Sequence, residues 1–127
     1  MTVGLWATLT YRDAEAAMTW LRAVGFTEHE VYREDGDPSN VAHAEYLWPA
    51  GGGVMFGSYA GERPTWPKQP GTGSAYLMTD DVDRAHDAAT AAGGASLQAP
   101  HDEPYGRTAA VTDPEGNIWS FGTYDGG

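Results

Sequence analysis

Residues 11–26 read YRDAEAAMTWLRAVGF, and residues 79–94 read TDDVDRAHDAATAAGG. Each stretch begins with an aspartate that can cap a helix, Asp13 or Asp81, and continues with small and apolar residues at helical spacing. Each then reaches a glycine suited to a helix C-terminus, Gly25 or Gly93, at the same distance from its aspartate. The pattern predicts two helices of equal length, one in each half of the chain.

A second similarity joins the two halves. Residues 56–59 read FGSY near the end of the first half, and residues 121–124 read FGTY at the end of the second. Chance similarity between two alanine-rich helices is the alternative, but two copies of one module explain both matches more economically.

Strand patterns surround the two helices in the same order. Alternation and β-branched or aromatic content predict strands at 3–9, 26–33, 41–48 and 54–59, and again at 74–79, 95–99, 107–112 and 117–124. Residues 34–40 and 48–53 read as turns, and residues 100–106 read as a loop whose Tyr105 could reach a ligand. We therefore predict an α+β fold in one domain, residues 1–127, made of two βαβββ modules, 1–60 and 73–127, with a Pro/Gly-rich linker at 61–72.

Composition limits the classes of function. With 127 residues, 41% of them hydrophobic and 20% charged, the chain can form one folded domain. It has no cysteine, which excludes disulfides, thiolate nucleophiles and cysteine-ligated metals. A net charge of -11 disfavours nucleic acid and anionic membranes and favours a cationic ligand, although the same acidity could serve solubility alone. Residues 1–11 lack a signal peptide and no segment is apolar enough to span a bilayer, which predicts a cytoplasmic protein.

The doubled βαβββ pattern, with DPEGNIW at residues 113–119 opening the last strand, resembles the vicinal oxygen chelate superfamily. Residues 11–26, 43–57 and 113–124 are most similar to its bleomycin-resistance and glyoxalase-like branch. The resemblance implies that paired modules curl their strands into an open cup with the helices outside, and that two chains form a homodimer.

Metal-dependent members of that superfamily hold the ion with residues from the first and last strands of each module. Here those positions correspond to Trp6 and Met55 in the first module, with Phe56 as the neighbour of Met55, and to Ser74 and Ser120 in the second. None of these side chains is a suitable ligand for a divalent cation, which prefers imidazole or carboxylate donors. The resemblance therefore implies a protein with no metal and no cofactor.

Residues in phase with these positions should line the cup, because side chains alternate across a strand. The predicted ligand-binding set, completed by Tyr105 of the loop, is Trp6, Thr8, Met55, Tyr59, Ser74, Tyr76, Met78, Tyr105, Ser120 and Tyr124; Ile118 shares their phase. The opposite set, predicted to pack against the helices, is Leu5, Ala7, Leu9, Val54, Phe56, Ala75, Leu77 and Trp119. An aromatic and hydroxyl-bearing cup suits a flat organic ligand, with cationic antibiotics as one candidate class, although a collapsed core or a dimer interface would use the same residues.

Several residues keep other functions open. His43 and Glu45 share one face of a strand and could form a base with its orienting acid, or two ligands of a relocated metal site. Tyr105 is a second candidate for proton transfer, so an enzyme of unknown substrate, related to the lyases, isomerases or dioxygenases of the superfamily, is the alternative to a binding protein.

Structural roles are expected for other polar and aromatic residues. Arg107 is expected to pair internally, and His86 to lie on a solvated helix face. Trp48 and Trp66 could close over the cup or pack locally.

Overall fold

The computed structural model describes residues 2–127, so Met1, the first residue of the predicted N-terminal module, lies outside the described residues. The first module contains β1 (Trp6–Tyr11), α1 (Ala14–Val24), β2 (Thr27–Glu34), β3 (Asp37–Leu47) and β4 (Gly53–Ser58). The second contains β5 (Ser74–Met78), α2 (Val82–Ala91), β6 (Ala95–Glu103), β7 (Gly106–Thr112) and β8 (Ile118–Gly122). The predicted α+β fold of two tandem βαβββ modules is confirmed. Neither α1 nor α2 has the length and apolar character needed to cross a membrane.

Each module forms its own four-stranded sheet with the same topology. The strand orders are β1-β4-β3-β2 and β5-β8-β7-β6. In each sheet the first and last strands of the module are parallel, and the remaining neighbours are antiparallel. The first and last strands of a module, which carry the predicted ligand positions, therefore lie side by side.

Both helices begin at their predicted capping aspartates, and α1 ends at its predicted glycine, whereas α2 is one residue shorter than α1. The side chains of Asp13 and Asp81 accept hydrogen bonds from the backbone N–H groups of Ala16 and Arg84, at 3.0 and 3.1 Å. Gly25 follows α1 with a φ of 134°, a conformation that favours glycine. The second helix ends with Ala92 in the cap position, and Gly93 comes one residue later.

One core joins the two modules. Trp20 of α1 packs against Trp119 of β8, with ring centroids 5.9 Å apart, and its indole N–H donates to the carbonyl of Ala89 in α2 at 3.0 Å. Phe26 packs edge-on against the same Trp119 ring. The helix-facing residues of both sheets belong to one continuous buried cluster.

A buried carboxylate at the DPEGN turn connects the modules further. Asp113 accepts hydrogen bonds from the hydroxyl of Tyr11 at 2.7 Å, the amide of Asn117 at 2.9 Å and the indole of Trp119 at 3.1 Å. Burial, followed by the charge of Asp113, raises the pKa of Tyr11. Nearby, the carboxylate of Glu115 accepts the backbone N–H groups of residues 12 and 13. The turn that opens β8 thus also holds the end of β1.

The strand boundaries differ from the sequence prediction at several ends. The first strand begins at Trp6 rather than at residue 3, because β4 offers its first partner, Gly53, only there. Leu5 consequently precedes the strand and is 80% exposed, so its predicted packing under the helices is wrong. The segments predicted as loops at 34–40 and 100–106 shorten to tight turns because the β2–β3 and β6–β7 hairpins continue to pair. The last strand of each module ends earlier than predicted: β4 ends at Ser58 rather than at residue 59, and β8 ends at Gly122 rather than at residue 124.

Candidate ligand-binding faces

Each sheet has one face against the core and one face turned away from it, which we call the open face. The first open face carries Trp6 and Thr8 of β1 with Met55 of β4 and Glu45 of β3; Thr8, Met55 and Glu45 form one row of paired residues. The second open face carries Ser74, Tyr76, Met78, Ile118 and Ser120. The alternate residues Leu9, Val54, Phe56, Leu77 and Trp119 are buried as predicted, and Ala7 and Ala75 are packed against them.

On the first open face the ring of Trp6 lies across its strand partner Gly53. A Cβ built on Gly53 would lie 2.9 Å from Cε3 of Trp6, closer than side chains tolerate, so the ring occupies the space that a larger residue would fill. The indole is only partly exposed and its edge lies near His29, with ring centroids 6.5 Å apart. Glycine on the neighbouring strand therefore lets an aromatic ring lie close to the sheet.

The second open face repeats this arrangement with Tyr76 over Gly122. A Cβ on Gly122 would lie 2.9 Å from Cζ of Tyr76. The hydroxyl of Tyr76 donates to the carbonyl of Tyr124 at 2.6 Å, and Tyr105 meets the Tyr124 ring edge-on with centroids 6.2 Å apart. Partial burial raises the pKa of Tyr76, which keeps its hydroxyl protonated. Three predicted site residues, Tyr76, Tyr105 and Tyr124, are thus brought together, and all three are about half-exposed.

A hollow of about 330 Å³ opens beside this tyrosine group. It is lined by Tyr76, Met78 and Tyr124 of the second module and by Trp48 of the first. Trp48 itself is buried, with its ring on Phe26 and its indole N–H donating to the carbonyl of Met78 at 2.8 Å. Trp48 therefore packs between the modules and contributes one edge of the hollow.

Histidines flank a carboxylate on the first open face. Nε2 of His43 lies 2.8 Å from one oxygen of Glu45, and Nε2 of His29 lies 3.9 Å from the other. Tyr32 stacks on the His43 ring with centroids 6.2 Å apart. Glu30 pairs with Glu45 across β2 and β3, so a second carboxylate shares this face. The arrangement can orient an imidazole as a base, and it also places negative charge close to Trp6.

The four positions at which metal-dependent relatives carry ligands lie two on each sheet. Trp6 and Met55 belong to the first sheet, and Ser74 and Ser120 to the second. An indole, a thioether and two hydroxyls do not match the imidazole and carboxylate donors that a divalent cation prefers. Within residues 2–127, no three histidine, aspartate or glutamate side chains are grouped so that they could hold a metal ion.

Two other candidate residues lie at or beyond the edge of the first open face. Tyr59 follows the end of β4, where its ring lies under the guanidinium of Arg12 at 5.3 Å and its hydroxyl donates to Gln69 of the linker at 3.3 Å. Trp66 is exposed on the linker, which folds back so that Trp66 and Thr8 line one hollow. Tyr59 therefore faces the linker, while Trp66 lies next to the edge of the first open face.

The expected surface position of His86 is wrong. His86 is 9% exposed because its ring fits between α2 and β6, with Nε2 2.7 Å from the hydroxyl of Ser96 and Nδ1 3.0 Å from Asp87. Arg107 pairs internally, as predicted, with Asp83 at 2.6 Å and Asp102 at 3.0 Å. These hydrogen bonds raise the pKa of Arg107 and lower the pKa of Asp83.

The sequence interpretation missed the glycines and His29. Gly53 and Gly122 carried a usable signal, because an isolated glycine inside a strand indicates close approach of another group. His29 carried none, since its approach to Glu45 depends on an irregularity in the β2–β3 register between Glu28 and Glu30.

Comparisons with known proteins agree with this architecture. The family model described as Glyoxalase/Bleomycin resistance protein/Dioxygenase superfamily matches residues 5–121. Among solved structures, TioX from Micromonospora sp. ML1 is 30% identical, with a TM-score of 0.72 over 96% of this chain and 100% of its own. A glyoxalase/bleomycin resistance protein from Streptomyces sp. CB03234 is 24% identical, with a TM-score of 0.63 over 93% of this chain and 99% of its own.

A third structure, described as a putative 3-demethylubiquinone-9 3-methyltransferase, PhnB protein, from Bacillus cereus, shares the fold at 17% identity. Its TM-score is 0.67 over 94% of this chain and 98% of its own. A comparison with curated proteins finds no match. Because the family model spans nearly the whole chain, the chain belongs to the glyoxalase/bleomycin resistance protein/dioxygenase superfamily.

Proposed function

We propose that this chain is a metal-free small-molecule-binding protein of the bleomycin-resistance or glyoxalase-like type, which sequesters an aromatic or cationic organic ligand, with cationic antibiotics as one candidate class. The observation that carries the proposal is the pair of open faces on which Trp6 and Tyr76 lie over glycines. A ring held close to a sheet presents a flat π surface with little freedom left to lose, which favours stacking with a planar ligand.

The charges near these rings favour a cation over an anion at the first open face. Glu45 and Glu30 lie on that face, and the His29 ring connects Glu45 to Trp6. The net charge of -11 acts in the same direction at long range. A ligand with a planar ring and a cationic group would stack on Trp6 while its charge approaches Glu45.

The exposed apolar side chains support a homodimer in which each cup is completed by the other chain. Tyr76, Ile118 and Tyr124 of the second module are between 43% and 48% exposed, and Tyr32 of the first is 54% exposed. Clustered apolar groups on open sheet faces are typical of surfaces that bind a partner or a ligand. We propose that a second copy covers part of these faces and leaves the ligand site between them.

A second candidate function, an enzyme of unknown substrate, is favoured by one observation. The contact of 2.8 Å between His43 and Glu45 is short enough for a hydrogen bond that fixes the imidazole tautomer. The other ring nitrogen would then be free to accept a proton from a substrate on the first open face. In this alternative, mutation of His43 to Gln abolishes turnover while ligand binding persists.

Thermal unfolding with proflavine, a planar aromatic cation, tests the binding proposal. A ligand at about 100 times its dissociation constant stabilises the folded state by about 2.7 kcal/mol. We expect stabilisation of the wild-type protein and its loss in Trp6→Ala, with Leu5→Ala as the control because Leu5 is exposed outside β1. Equal stabilisation of Trp6→Ala would contradict the placement of the site.

Analytical ultracentrifugation tests the assembly. We expect a dimer for the wild-type chain and a shift towards monomer in Ile118→Lys, which places a charge on the second open face. Thr123→Lys, which places the same charge beyond the end of β8, is the matched control and should stay dimeric. A wild-type monomer at micromolar concentration would exclude a cup completed by two chains.

A further inference from the structure

We infer a second ligand site, separate from the stacking surfaces of the open faces, in which Arg63 and Lys68 bind the oxyanion of a small organic acid or phosphate ester. The site is a pocket of about 260 Å³ where β1 and β4 end and the linker begins. The proposal does not depend on ligand binding at Trp6 or Tyr76.

The pocket lies where the regular pairing of β3 with β4 ends, after the pair Ala44 and Phe56. Beyond that pair the hydroxyl of Ser58 accepts the backbone N–H of Val41 at 2.9 Å in place of a regular strand contact. The hydroxyl of Thr10 is directed to the carbonyl of Gly57 at 3.4 Å. The irregular end of this strand pair therefore gives the pocket a wall with hydroxyl and backbone groups.

The linker supplies the other wall and both positive charges. The carbonyl of Arg63 accepts the backbone N–H of Trp66 at 3.2 Å, which turns the linker, and Lys68 follows two residues later. Arg63, Trp66 and Lys68 all line the pocket, together with Tyr59. Two cations thus share a small cavity with two aromatic rings.

Both cations of the pocket lack an ion-pair partner although the chain is acidic. The protein has 18 acidic and 7 basic residues, and of these basic residues only Arg22, Arg33 and Arg107 form ion pairs with carboxylates within residues 2–127. Neither Arg63 nor Lys68 forms an ion pair with any residue in the range 2–127. Two other arginines in the described part of the chain are unpaired as well, so the observation that points to an external anion is that these two unpaired cations line the same pocket.

The local charge of the pocket is positive despite the net charge of the chain. Glu34 is the one carboxylate among its lining residues within the described part of the chain, and Glu62 of the linker does not line it. One carboxylate and two cations give the lining of the pocket a net charge of about +1. Screening at physiological salt limits the reach of exposed charges to about 8 Å, so a ligand in the pocket interacts mainly with the charges of the lining.

The chemistry of the lining selects the ligand class. An arginine side chain can bind a carboxylate or phosphate through two parallel N–H groups, and lysine adds a point charge. The volume is below the range of about 300–1,000 Å³ usual for drug-sized ligands, which favours a small acid with at most one ring. Trp66 and Tyr59 offer apolar surface to that ring.

The test compares benzoate, phenyl phosphate and neutral benzyl alcohol by titration of ¹⁵N-labelled protein followed by NMR. We expect benzoate or phenyl phosphate to shift the backbone amide signals of Gly57 and Ser58 and the indole signal of Trp66, and the better of the two identifies the anion. The double variant Arg63→Gln/Lys68→Gln should bind that anion at least tenfold more weakly. Arg84→Gln removes an exposed charge elsewhere and should bind like the wild type.

Three results would overturn the inference: no shift with either anion, equal shifts with benzyl alcohol, or unchanged anion affinity in the double variant. A failure of proflavine to bind would refute the open-face proposal and leave this site intact. Conversely, binding of proflavine together with any of the three results would leave the open faces as the only ligand site we propose.

Discussion

The ring of Trp6 lies across Gly53, its partner on the neighbouring parallel strand. Its counterpart in the second sheet is Tyr76, which lies over Gly122 and is held there by a hydrogen bond to the carbonyl of Tyr124. Both aromatic residues come from the first strand of a module, and both glycines come from the last. The strand pair that holds the metal in some relatives here holds a ring against the sheet.

Replacing Gly122 with Ala should displace the Tyr76 ring. The new Cβ would meet only atoms of the Tyr76 side chain at close range, so the ring moves and the backbone need not. Loss of the Tyr76–Tyr124 hydrogen bond should lower the free energy of unfolding by about 1 kcal/mol. Chemical denaturation gives the energy, and nuclear Overhauser contacts between the Tyr76 ring and residue 122 report the ring position.

Gly4→Ala is the control for that substitution. Gly4 has no atom within 4 Å of a built Cβ, so stability should stay within about 0.5 kcal/mol of wild type. If the Tyr76 ring keeps its Overhauser contacts in Gly122→Ala, then the glycine does not determine the ring position. Gly53→Ala is less suitable, because there a Cβ would also lie 2.6 Å from the backbone carbonyl of Tyr46.

Asp113→Asn should destabilise the whole chain rather than one module. Oδ2 accepts from the side chains of Tyr11, Asn117 and Trp119, and Oδ1 accepts two backbone N–H groups of the same turn. An amide has only one oxygen, so it would turn an N–H group towards one of these two sets of donors. Leaving buried donors unpaired costs about 1–3 kcal/mol each, so we expect a loss of about 3 kcal/mol or more. Urea unfolding monitored by tryptophan fluorescence measures it, and Asp35→Asn, on an exposed turn, should change stability by less than about 0.5 kcal/mol.

That loss should appear as one cooperative transition, because Trp20 and Asp113 each join the two modules. Two separated transitions in Asp113→Asn would show that the modules unfold independently and that the shared core contributes little to their coupling. An unchanged midpoint would mean that the hydrogen bonds to Asp113 add nothing to stability.

The helices could be predicted from the sequence because their signals are local. Asp13 and Asp81 cap the helices through hydrogen bonds to backbone groups three residues on, and Gly25 and Gly93 adopt positive φ angles that few other residues tolerate. The internal repeat then supported the same sequence of elements in each module: a strand, a helix and three further strands. These features need no knowledge of distant contacts.

The remaining errors arose where distant partners decide the structure. Residue 3 and its neighbours have strand-like composition, yet the strand starts at Trp6 because β4 begins only opposite it. His86 has charged neighbours along α2, yet Ser96 of β6 receives its ring. Likewise, nothing local shows that Arg63 and Lys68 line one pocket, since that depends on how the linker folds back.

Arg107 and Asp83 provide a test with a defined pH dependence. The hydrogen bond from Arg107 lowers the pKa of Asp83 below its ordinary value of 3.8. A carboxyl with a lowered pKa in the folded state stabilises that state above pH 3.8, and the contribution is lost as the pH falls through the lowered pKa. In Arg107→Gln, therefore, the midpoint of Asp83 titration should rise towards 3.8, as measured by NMR of its carboxyl carbon.

The same substitution should affect stability where Asp83 and Asp102, the two partners of Arg107, are ionised. The melting temperature of Arg107→Gln should lie below that of wild type at neutral pH, and the difference should shrink below pH 3.8, where protonated Asp83 no longer attracts Arg107. Arg84→Gln is the control, because it removes an equal charge from α2, the helix that carries Asp83. It should leave the Asp83 midpoint close to its wild-type value, since the principal cause of the lowered pKa of Asp83 is the hydrogen bond from Arg107. An Asp83 midpoint that is equally low in Arg107→Gln would show that the contact between α2 and β7 does not control this carboxylate.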